Sequence, residues 1–368
     1  MTGVAQRGKR KTARIGIAAI MAFAAIATAC SANDDGASTD ESNVGTKPER
    51  EWKPGPPKVG NLRIATFNIR NFPHDTMGQD AGAADAGDGG DAGPDEDKRA
   101  FVPKKQSDTD IAMLVDILDR LDFDLLAVQE INDPKEFVAI LGELGKKNGR
   151  TYTAEFDLSW EHPQHVGIIV RADKLKLEDV KVYPEVATRP TMRAALSARV
   201  KSLKSGGIDF GVMSVHLASG DSEGRAGIRA AQATQAAAVI AARQAEAKDG
   251  DFVVLGDMNT AREEQEYGGL DNAYSQNATT LQRQKNDLGC TSYFSDKKFV
   301  EVQPSTIDQV YTASLAERDL SVPLSAGAHC YERACKPFES DSKEHGTSYW
   351  AVSDHCPTYF EVKDVDQD

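Results

Sequence analysis

Short apolar runs that end in polar residues recur along this chain. The run from Phe252 to Leu255 is followed by Gly256 and then by Asp257 and Asn259. A short continuous apolar run is typical of a strand buried on both faces. Polar residues two apart on an extended chain point the same way, and burying them is costly unless they have partners. The stretch 251–259 therefore predicts either an active-site edge or a polar turn.

The rest of the pattern predicts many short strands and a few helices. Alternating or continuous apolar stretches, which are typical of strands, occur at 62–69, 123–128, 152–156, 166–170, 175–182, 195–200, 208–215, 305–311 and 358–362. Spacing typical of helices occurs at 108–121, 134–144 and 224–247. This mixture predicts an α/β fold.

The first 30 residues have the pattern of an export signal. A basic head (Arg7, Lys9, Arg10, Lys11 and Arg14) precedes an apolar run, 15–27, that is too short to span a bilayer as a mature helix. Cys30 follows small residues, which resembles a bacterial lipobox with Cys30 as the lipidated new amino terminus. We expect export and anchoring to the cell envelope, in the outer membrane or at the surface, with plain secretion as the alternative.

Two later segments lack the apolar residues that a core requires. Residues 31–59 are rich in Ser, Asp, Glu, Gly and Pro, which predicts a flexible tether. Residues 78–98 carry seven acidic side chains among Gly and Ala, which predicts a disordered acidic insertion. Calcium binding is the alternative for the insertion, although no loop in it keeps the spacing of a known calcium motif. Residues 60–368 then form one catalytic domain, which we expect to be a monomer.

The charge balance limits the kinds of partner. The formal net charge is −14, and removal of the five basic residues of the export signal makes it more negative. This argues against a protein that coats nucleic acid through a broad basic face, although a local basic groove remains compatible with it.

Four cysteines remain after Cys30, an even number in an oxidising compartment. Cys330 and Cys335 are close enough in sequence to close a small loop, so we predict that they pair, which leaves Cys290 with Cys356. Free buried thiols are the alternative. No Cys-x-x-Cys pair occurs, which argues against a structural zinc site.

Several predicted strands end in a side chain that can do chemistry. These side chains are Asn68, Glu130, His216, Asp257 with Asn259, and Asp354 with His355. Each alone could be a turn, cap or core residue, but in α/β folds ligands collect at the carboxyl ends of strands. Acids, amides and histidines together suit metal-assisted attack on a phosphate ester. The many oxygen ligands favour Mg²⁺ or a related ion.

Six short motifs identify a resemblance to a known family. They are Phe67-Asn68-Ile69-Arg70, Val128-Gln129-Glu130-Ile131, Val215-His216-Leu217, Leu255-Gly256-Asp257-Met258-Asn259, Ile307-Asp308-Gln309-Val310 and Ser353-Asp354-His355. In this order they resemble the endonuclease/exonuclease/phosphatase family, which includes deoxyribonuclease I, from about residue 60 to the end. The resemblance implies a four-layer α/β sandwich, with two mixed β-sheets packed face to face and helices outside.

The resemblance also implies roles for individual residues. Glu130 would be the principal metal ligand, with Asn68 and Asp354 nearby, and the ion would be Mg²⁺, with Mn²⁺ or Ca²⁺ as alternatives. Asp257 and Asn259 would position the attacking water and the phosphate. His355, oriented by Asp308, would contact the scissile phosphate. His216 would be the second histidine and a candidate acid toward the leaving oxygen; which histidine is base and which is acid stays open.

The residues that would contact substrate are assigned less directly. Arg189 stands where family members often have an arginine that faces the phosphates, and Arg193 is the competing choice. His162 and Gln164 stand where deoxyribonuclease I has a Tyr and a Glu. This departure leaves His216 without its usual carboxylate partner and puts its basicity in doubt.

Substrate does not follow from motifs that the whole family shares. The Asn-Ile-Arg-Asn-Phe and Gln-Glu-Ile-Asn-Asp contexts resemble bacterial nucleases, so we expect cleavage of DNA, with RNA as a further substrate. The alternatives are a phospholipid phosphodiesterase of the sphingomyelinase type, a phosphoinositide phosphatase, and a binding module that kept the fold without the chemistry. The complete set of acids and histidines argues against the last.

Overall fold

A computed structural model describes residues 50–73, 109–220, 222–260, 265–275, 281–285, 289–295, 301–339 and 347–367. Its strands are β1 (Asn61–Phe72), β2 (Leu125–Ile131), β3 (Tyr152–Phe156), β4 (His165–Arg171), β5 (Leu175–Tyr183), β6 (Ala195–Ser202), β7 (Asp209–His216), β8 (Phe252–Asp257), β9 (Gln282–Arg283), β10 (Ser292–Ser295), β11 (Glu301–Ser305), β12 (Asp308–Ala313), β13 (Ser325–Ala326), β14 (Phe338–Glu339) and β15 (Thr358–Lys363). Its α-helices are α1 (Ile111–Leu121), α2 (Pro134–Asn148), α3 (Glu223–Ala247), α4 (Gln265–Ser275), α5 (Ala328–Glu332) and α6 (Ser348–Ala351), with a 3₁₀ turn at Pro184–Ala187.

Two six-stranded mixed sheets form the centre of the domain. Their strand orders are β13-β15-β1-β2-β4-β3 and β5-β6-β7-β8-β12-β9. The only parallel pairs among the registered strands are β1 with β2 and β7 with β8. Helix α1 connects the first pair and helix α3 the second, as parallel neighbours require a crossover. A small third sheet, β10-β11-β14, lies beside them.

The sheets pack face to face because alternate side chains of each strand point into the space between them. Leu62 and Ile64 of β1 lie in one apolar cluster with Val253 and Leu255 of β8. The intervening residues of β1 pack on α1 and α2, and those of β8 pack on α3 and α4. The predicted architecture, a four-layer α/β sandwich with helices outside two mixed sheets, is confirmed.

Capping residues in the sequence mark where α1 and α2 begin and end. The Asp110 carboxylate accepts a hydrogen bond from the Met113 amide and caps α1, and Asp122 ends it in a left-handed conformation. Asp133 caps α2, Pro134 occupies its first turn, and Gly149 ends it at φ 72°. Among the described residues, no helix has both the length and the apolarity needed to cross a bilayer.

The expected tether is shorter than the sequence predicts. Its last part packs on the domain: Trp52 is 1% exposed and lies in the same cluster as Phe67 and Leu118. The Arg50 guanidinium stacks on the ring of Tyr331. A single tryptophan in a polar stretch supplies enough apolar area to anchor it. The export signal, the rest of the tether and the acidic insertion at 78–98 lie outside the described residues.

The predicted cysteine pairing is wrong. Cys290 bonds to Cys335, and Cys330 bonds to Cys356. Cys330 belongs to α5 and Cys335 to the turn after it, and the fold brings two distant segments against this turn. Spatial proximity, rather than the short separation in sequence, decided the connectivity.

One predicted strand is also divided. The expected strand at 305–311 is two strands in different sheets, since β11 ends at Ser305 and β12 begins at Asp308. The break lets β12 pair with β8 while β11 pairs with β10.

Candidate active site

The polar strand ends continue the alternation that builds the core. In β1 the inward positions Leu62 and Ile64 are followed at the same parity by Thr66 and Asn68. In β8 the inward positions Val253 and Leu255 are followed by Asp257. Alternate residues of each strand face the space between the sheets. Near the strand ends these inward residues are polar, so their side chains lie together at one end of that space.

Strand register aligns three of these side chains in the second sheet. Asp257 pairs with His216 across the parallel β7–β8 ladder and with Asp308 across the antiparallel β8–β12 ladder. All three residues are buried. The sheet thus presents an imidazole and two carboxylates in one row.

Gly256 allows β7 to approach β8 closely at this row. It has φ 144°, and a Cβ there would lie 2.0 Å from the Val215 carbonyl oxygen. Asp257 then ends the strand, and its Oδ1 accepts a hydrogen bond from the Asn259 amide at 2.8 Å. Asn259 has φ 50°, so the two residues do not lie on one extended face as the sequence suggested. The Asn259 side chain donates to the Leu217 carbonyl at 3.0 Å.

Asn68 joins the two sheets. Its Nδ2 donates to Glu130 Oε1 and to Asp257 Oδ2, each at 3.0 Å. Its Oδ1 accepts from the Arg70 amide at 2.9 Å. In this arrangement Asn68 holds the two carboxylates together and turns its amide oxygen, the expected metal ligand, toward the backbone.

Glu130 reaches the site through an irregular backbone. It has φ 60°, and the β1–β2 register shifts beyond Asn68. Its Oε2 accepts from the Asn71 amide at 3.1 Å. Burial raises the pKa of Glu130, although the charge of His355 and the amide of Asn68 oppose this shift.

His355 and Asp308 form the contact that the family resemblance implies. His355 Nδ1 lies 2.9 Å from Asp308 Oδ2 and 3.1 Å from Oδ1. Burial alone would lower the pKa of His355, but the Asp308 carboxylate outweighs it and raises the pKa well above its ordinary value. His355 Nε2 then points toward Asp257 Oδ2, 3.8 Å away.

His216 has different surroundings. Its Nε2 lies 3.5 Å from Asp257 Oδ2 and 3.7 Å from Glu130 Oε1. Its Nδ1 is buried with no hydrogen-bond partner among the described residues. Burial, with the nearby charge of Arg193, holds the pKa of His216 well below its ordinary value. The two histidines therefore differ in charge near neutral pH.

Arg193, rather than Arg189, lies beside His216. Arg193 is buried and donates to the backbone carbonyls of His216 and Leu217. Arg189 is exposed on the preceding loop.

The positions that replace the Tyr and Glu of deoxyribonuclease I lie near the site. His162 is half-buried, and its charge contributes to the lowered pKa of His216. Gln164 donates to Asn71 Oδ1 at 2.7 Å. An amide there bonds to Asn71 of β1, whose backbone amide donates to Glu130, instead of supplying a carboxylate to His216.

The donor set fits a divalent metal ion. Glu130, His216 and Asp257 each offer one atom, and these atoms lie within 4.8 Å of one another. Asp354 adds a buried Oδ1 that has no hydrogen-bond partner among the described residues. Burial opposes ionisation of Asp354, but the charges of Arg70 and His355 lower its pKa, so it is a carboxylate. Burial raises the pKa of Asp257 to about 6.

A second grouping of ligand-type side chains is not a metal site. His329 Nε2 lies 3.1 Å from the sulfur of Cys356. Cys356 and the neighbouring Cys330 are joined to each other, so neither offers a thiolate.

Sequence reasoning missed several residues that hold the site. Thr291 Oγ1 accepts from the Asp308 amide, and Ser353 Oγ donates to the Asn68 carbonyl. Arg70 Nε lies 3.7 Å from Asp354 Oδ1. Ser353 and Arg70 stand inside recognised motifs and could have been considered; nothing in the sequence around Thr291 points to Asp308.

Comparisons with known proteins bear on the family and the fold. The model of the endonuclease/exonuclease/phosphatase family matches residues 65–355. A family member from Bacteroides thetaiotaomicron has a similar structure (TM-score 0.50, 16% identity, 82% of this chain and 97% of that chain). Truncated TDP2 from Caenorhabditis elegans is also similar (TM-score 0.51, 12% identity, 83% and 98%). No curated protein matches the sequence.

Members of this family hydrolyse phosphoester bonds and generally depend on a divalent metal ion. The family model covers most of the chain, and the residues that carry its motifs converge on one end of the sandwich. The chain therefore belongs to the endonuclease/exonuclease/phosphatase family.

Proposed function

We propose that this protein is a Mg²⁺-dependent phosphodiesterase that cleaves DNA outside the cytoplasm. The observation that carries the proposal is the set of contacts that meets at Asp257. Asn68 bonds to both Asp257 and Glu130, and Nε2 of His355, which is paired with Asp308, lies 3.8 Å from Asp257. A carboxylate cluster beside a charged imidazole can hold a cation and a phosphate next to each other.

Glu130 is the principal residue that would hold the ion. The ligand atom of Asp257 lies within 4.8 Å of that of Glu130, and ionised Asp354 supplies a further carboxylate. Such an ion stabilises the negative charge that develops on the phosphoryl oxygens during attack. Asn68 keeps Glu130 and Asp257 at a fixed separation through its two hydrogen bonds. We do not assign Asn68 as a ligand, since its nitrogen faces the carboxylates.

Asp257, His355 and His216 have different roles in the reaction. Asp257, with a pKa of about 6, is ionised near neutral pH and suited to accept a proton from the attacking water. His355 stays protonated beside Asp308, so its Nε2–H can donate to a phosphoryl oxygen. Neutral His216 lies across Asp257 and can hydrogen-bond to the ester oxygen. Attack by the water oxygen forms a bond to phosphorus and breaks the bond from phosphorus to the leaving oxygen. The leaving oxygen takes up a proton from solvent, and Asp257 returns its proton to solvent.

The choice of DNA rests on the sequence contexts of Asn68 and Glu130, which resemble bacterial nucleases. The partner is accordingly a nucleic acid, and we propose a monomer anchored to the cell envelope through lipidated Cys30. Replacing Cys30 with Ala should release the chain from the membrane fraction. Unchanged membrane association of this variant would contradict the anchor.

Substrate class is tested by direct comparison. The protein is incubated with plasmid DNA, RNA, sphingomyelin vesicles and phosphoinositides, with Mg²⁺ or with excess chelator, alongside Glu130→Gln. We expect Mg²⁺-dependent nicking of the plasmid that the variant lacks. Faster turnover of a lipid than of DNA would identify a phospholipid phosphodiesterase or phosphoinositide phosphatase instead, and full activity in chelator would contradict the metal requirement.

A further inference from the structure

Two short segments lie side by side next to the candidate active site. The Tyr293 amide donates to the Asp354 carbonyl at 2.8 Å, and the Cys356 amide donates to the Thr291 carbonyl at 2.8 Å. Ser292 and His355 face each other in an antiparallel bridge between these hydrogen bonds. The backbone of His355 is therefore registered against the segment 291–293.

The same two segments hold both members of the histidine–carboxylate pair. His355 lies on one segment, and Thr291 on the other accepts a hydrogen bond from the Asp308 amide at 2.9 Å. Asp308 then bonds to His355 through its side chain. A shift of one segment relative to the other would move Asp308 away from the imidazole.

Each segment is linked covalently to the same turn. Cys290, next to Thr291, bonds to Cys335, and Cys356, next to His355, bonds to Cys330. Within the turn the Cys335 amide donates to the Cys330 carbonyl at 3.2 Å. The four sulfurs thus fasten residues immediately beside Thr291 and His355 to one short piece of chain, in an aromatic cluster that includes Tyr293 and Tyr349.

We infer that the two disulfides are a positioning device for the His355–Asp308 pair, so that the rate of phosphoester hydrolysis depends on oxidation of these four cysteines. Displacement of a reacting group by about 1 Å can cost about 10²-fold in rate. Cross-links adjacent to the pair limit such displacements in a way that distant packing does not. The inference takes phosphoester hydrolysis as one readout but does not require that DNA be the substrate.

Reduction is the chemical step that tests the device. A dithiol gives two electrons and two protons to each disulfide, which yields two cysteine thiols, and the dithiol closes into its own disulfide. The oxidised protein is equilibrated with mixtures of reduced and oxidised dithiothreitol in which the reduced fraction increases. At each point kcat and KM are measured on bis(p-nitrophenyl) phosphate, together with far-UV circular dichroism and the imidazole N–H proton resonance of His355.

We expect kcat to fall about 10²-fold on reduction, with a much smaller change in KM, while the circular dichroism stays that of the folded protein. The His355 resonance should broaden or shift as its bond to Asp308 loosens, and reoxidation should restore both signals. This resonance requires no substrate, so it distinguishes failure of the inference from failure of the proposed function.

Variants separate positioning from general stability. Two double variants each remove one disulfide: Cys330→Ser with Cys356→Ser, and Cys290→Ser with Cys335→Ser. Each should lower kcat. The quadruple variant, which lacks both disulfides, should no longer respond to dithiothreitol. Leu144→Ala, at a buried position of α2 in a different apolar cluster, should lower the melting temperature. Below that temperature it should leave kcat and the His355 resonance unchanged. Unchanged kcat and resonance in the reduced protein would overturn the inference, and so would losses that simply follow unfolding.

Discussion

The carboxylate of Asp308 lies 2.9 Å from Nδ1 of His355, although the two residues are 47 positions apart. Asp308 begins β12, and His355 lies in the segment that leads into β15 of the other sheet. The pair therefore spans the two halves of the sandwich. It fixes which imidazole nitrogen faces the site, because the one that bonds to the carboxylate is turned away.

Asp308→Asn should lower kcat by about 10³–10⁴-fold, since an uncharged amide neither holds the tautomer nor stabilises the imidazolium. KM should change much less, because Asp308 faces the imidazole rather than the site. The pKa of His355, raised in the wild type, should fall in the variant, which a histidine titration by NMR would detect. A wild-type single-turnover rate with an unmoved His355 titration would show that the pair has no catalytic importance.

Glu130→Gln should nearly abolish activity and weaken metal binding by at least about 10²-fold. The amide keeps the shape of the side chain but lacks the charge that holds a hard cation. Calorimetric titration with Mn²⁺ measures the binding without substrate. Glu136→Gln, an exposed carboxylate in the first turn of α2, is the matched control and should bind the ion like the wild type. Equal affinities of all three proteins would place the ion elsewhere.

Metal affinity should fall as the pH drops from about 7 to 5. Burial raises the pKa of Asp257 to about 6 and also raises that of Glu130, so both carboxyls hold protons at a higher pH than usual. Below the raised pKa a proton competes with the cation, and binding must release it. Mn²⁺ titrations between pH 5 and 8 should show affinity that levels off on the alkaline side. A flat profile over the whole range would contradict the raised pKa values.

Trp52→Ala should destabilise the domain by about 3–5 kcal/mol, the usual cost of removing a buried aromatic side chain. Trp52 is 1% exposed and packs within 6.4 Å of the Tyr359 ring centroid. Thermal unfolding should show a lower melting temperature by several degrees. Val59→Ala, at a fully exposed position of the same stretch, should change the free energy of unfolding by less than about 0.5 kcal/mol. Equal effects of the two changes would show that residues 50–59 do not pack on the domain and belong to the flexible tether.

The candidate site residues could be placed at strand ends from the sequence because strand periodicity and short motifs are local. The alternation Leu62, Ile64, Thr66, Asn68 already places the asparagine on the inward face of β1, and Val253, Leu255, Asp257 does the same for β8. The same alternation predicted an α/β fold, and the four-layer sandwich was implied by the family resemblance that the six motifs carry.

Apart from the Asp308–His355 pair, which the family resemblance implied, only the tertiary structure decided which distant groups meet. The bonds of Asn68 to both carboxylates, the exposure of Arg189 against the burial of Arg193, and the pairing of Cys330 with Cys356 all depend on how the two sheets and the α5 turn pack. Spacing along a chain constrains neighbours within a few residues, whereas these contacts join segments separated by 26 to 189 positions. The sequence therefore determined the strands and the chemical groups at their ends, and packing of the two sheets determined the contacts among those groups.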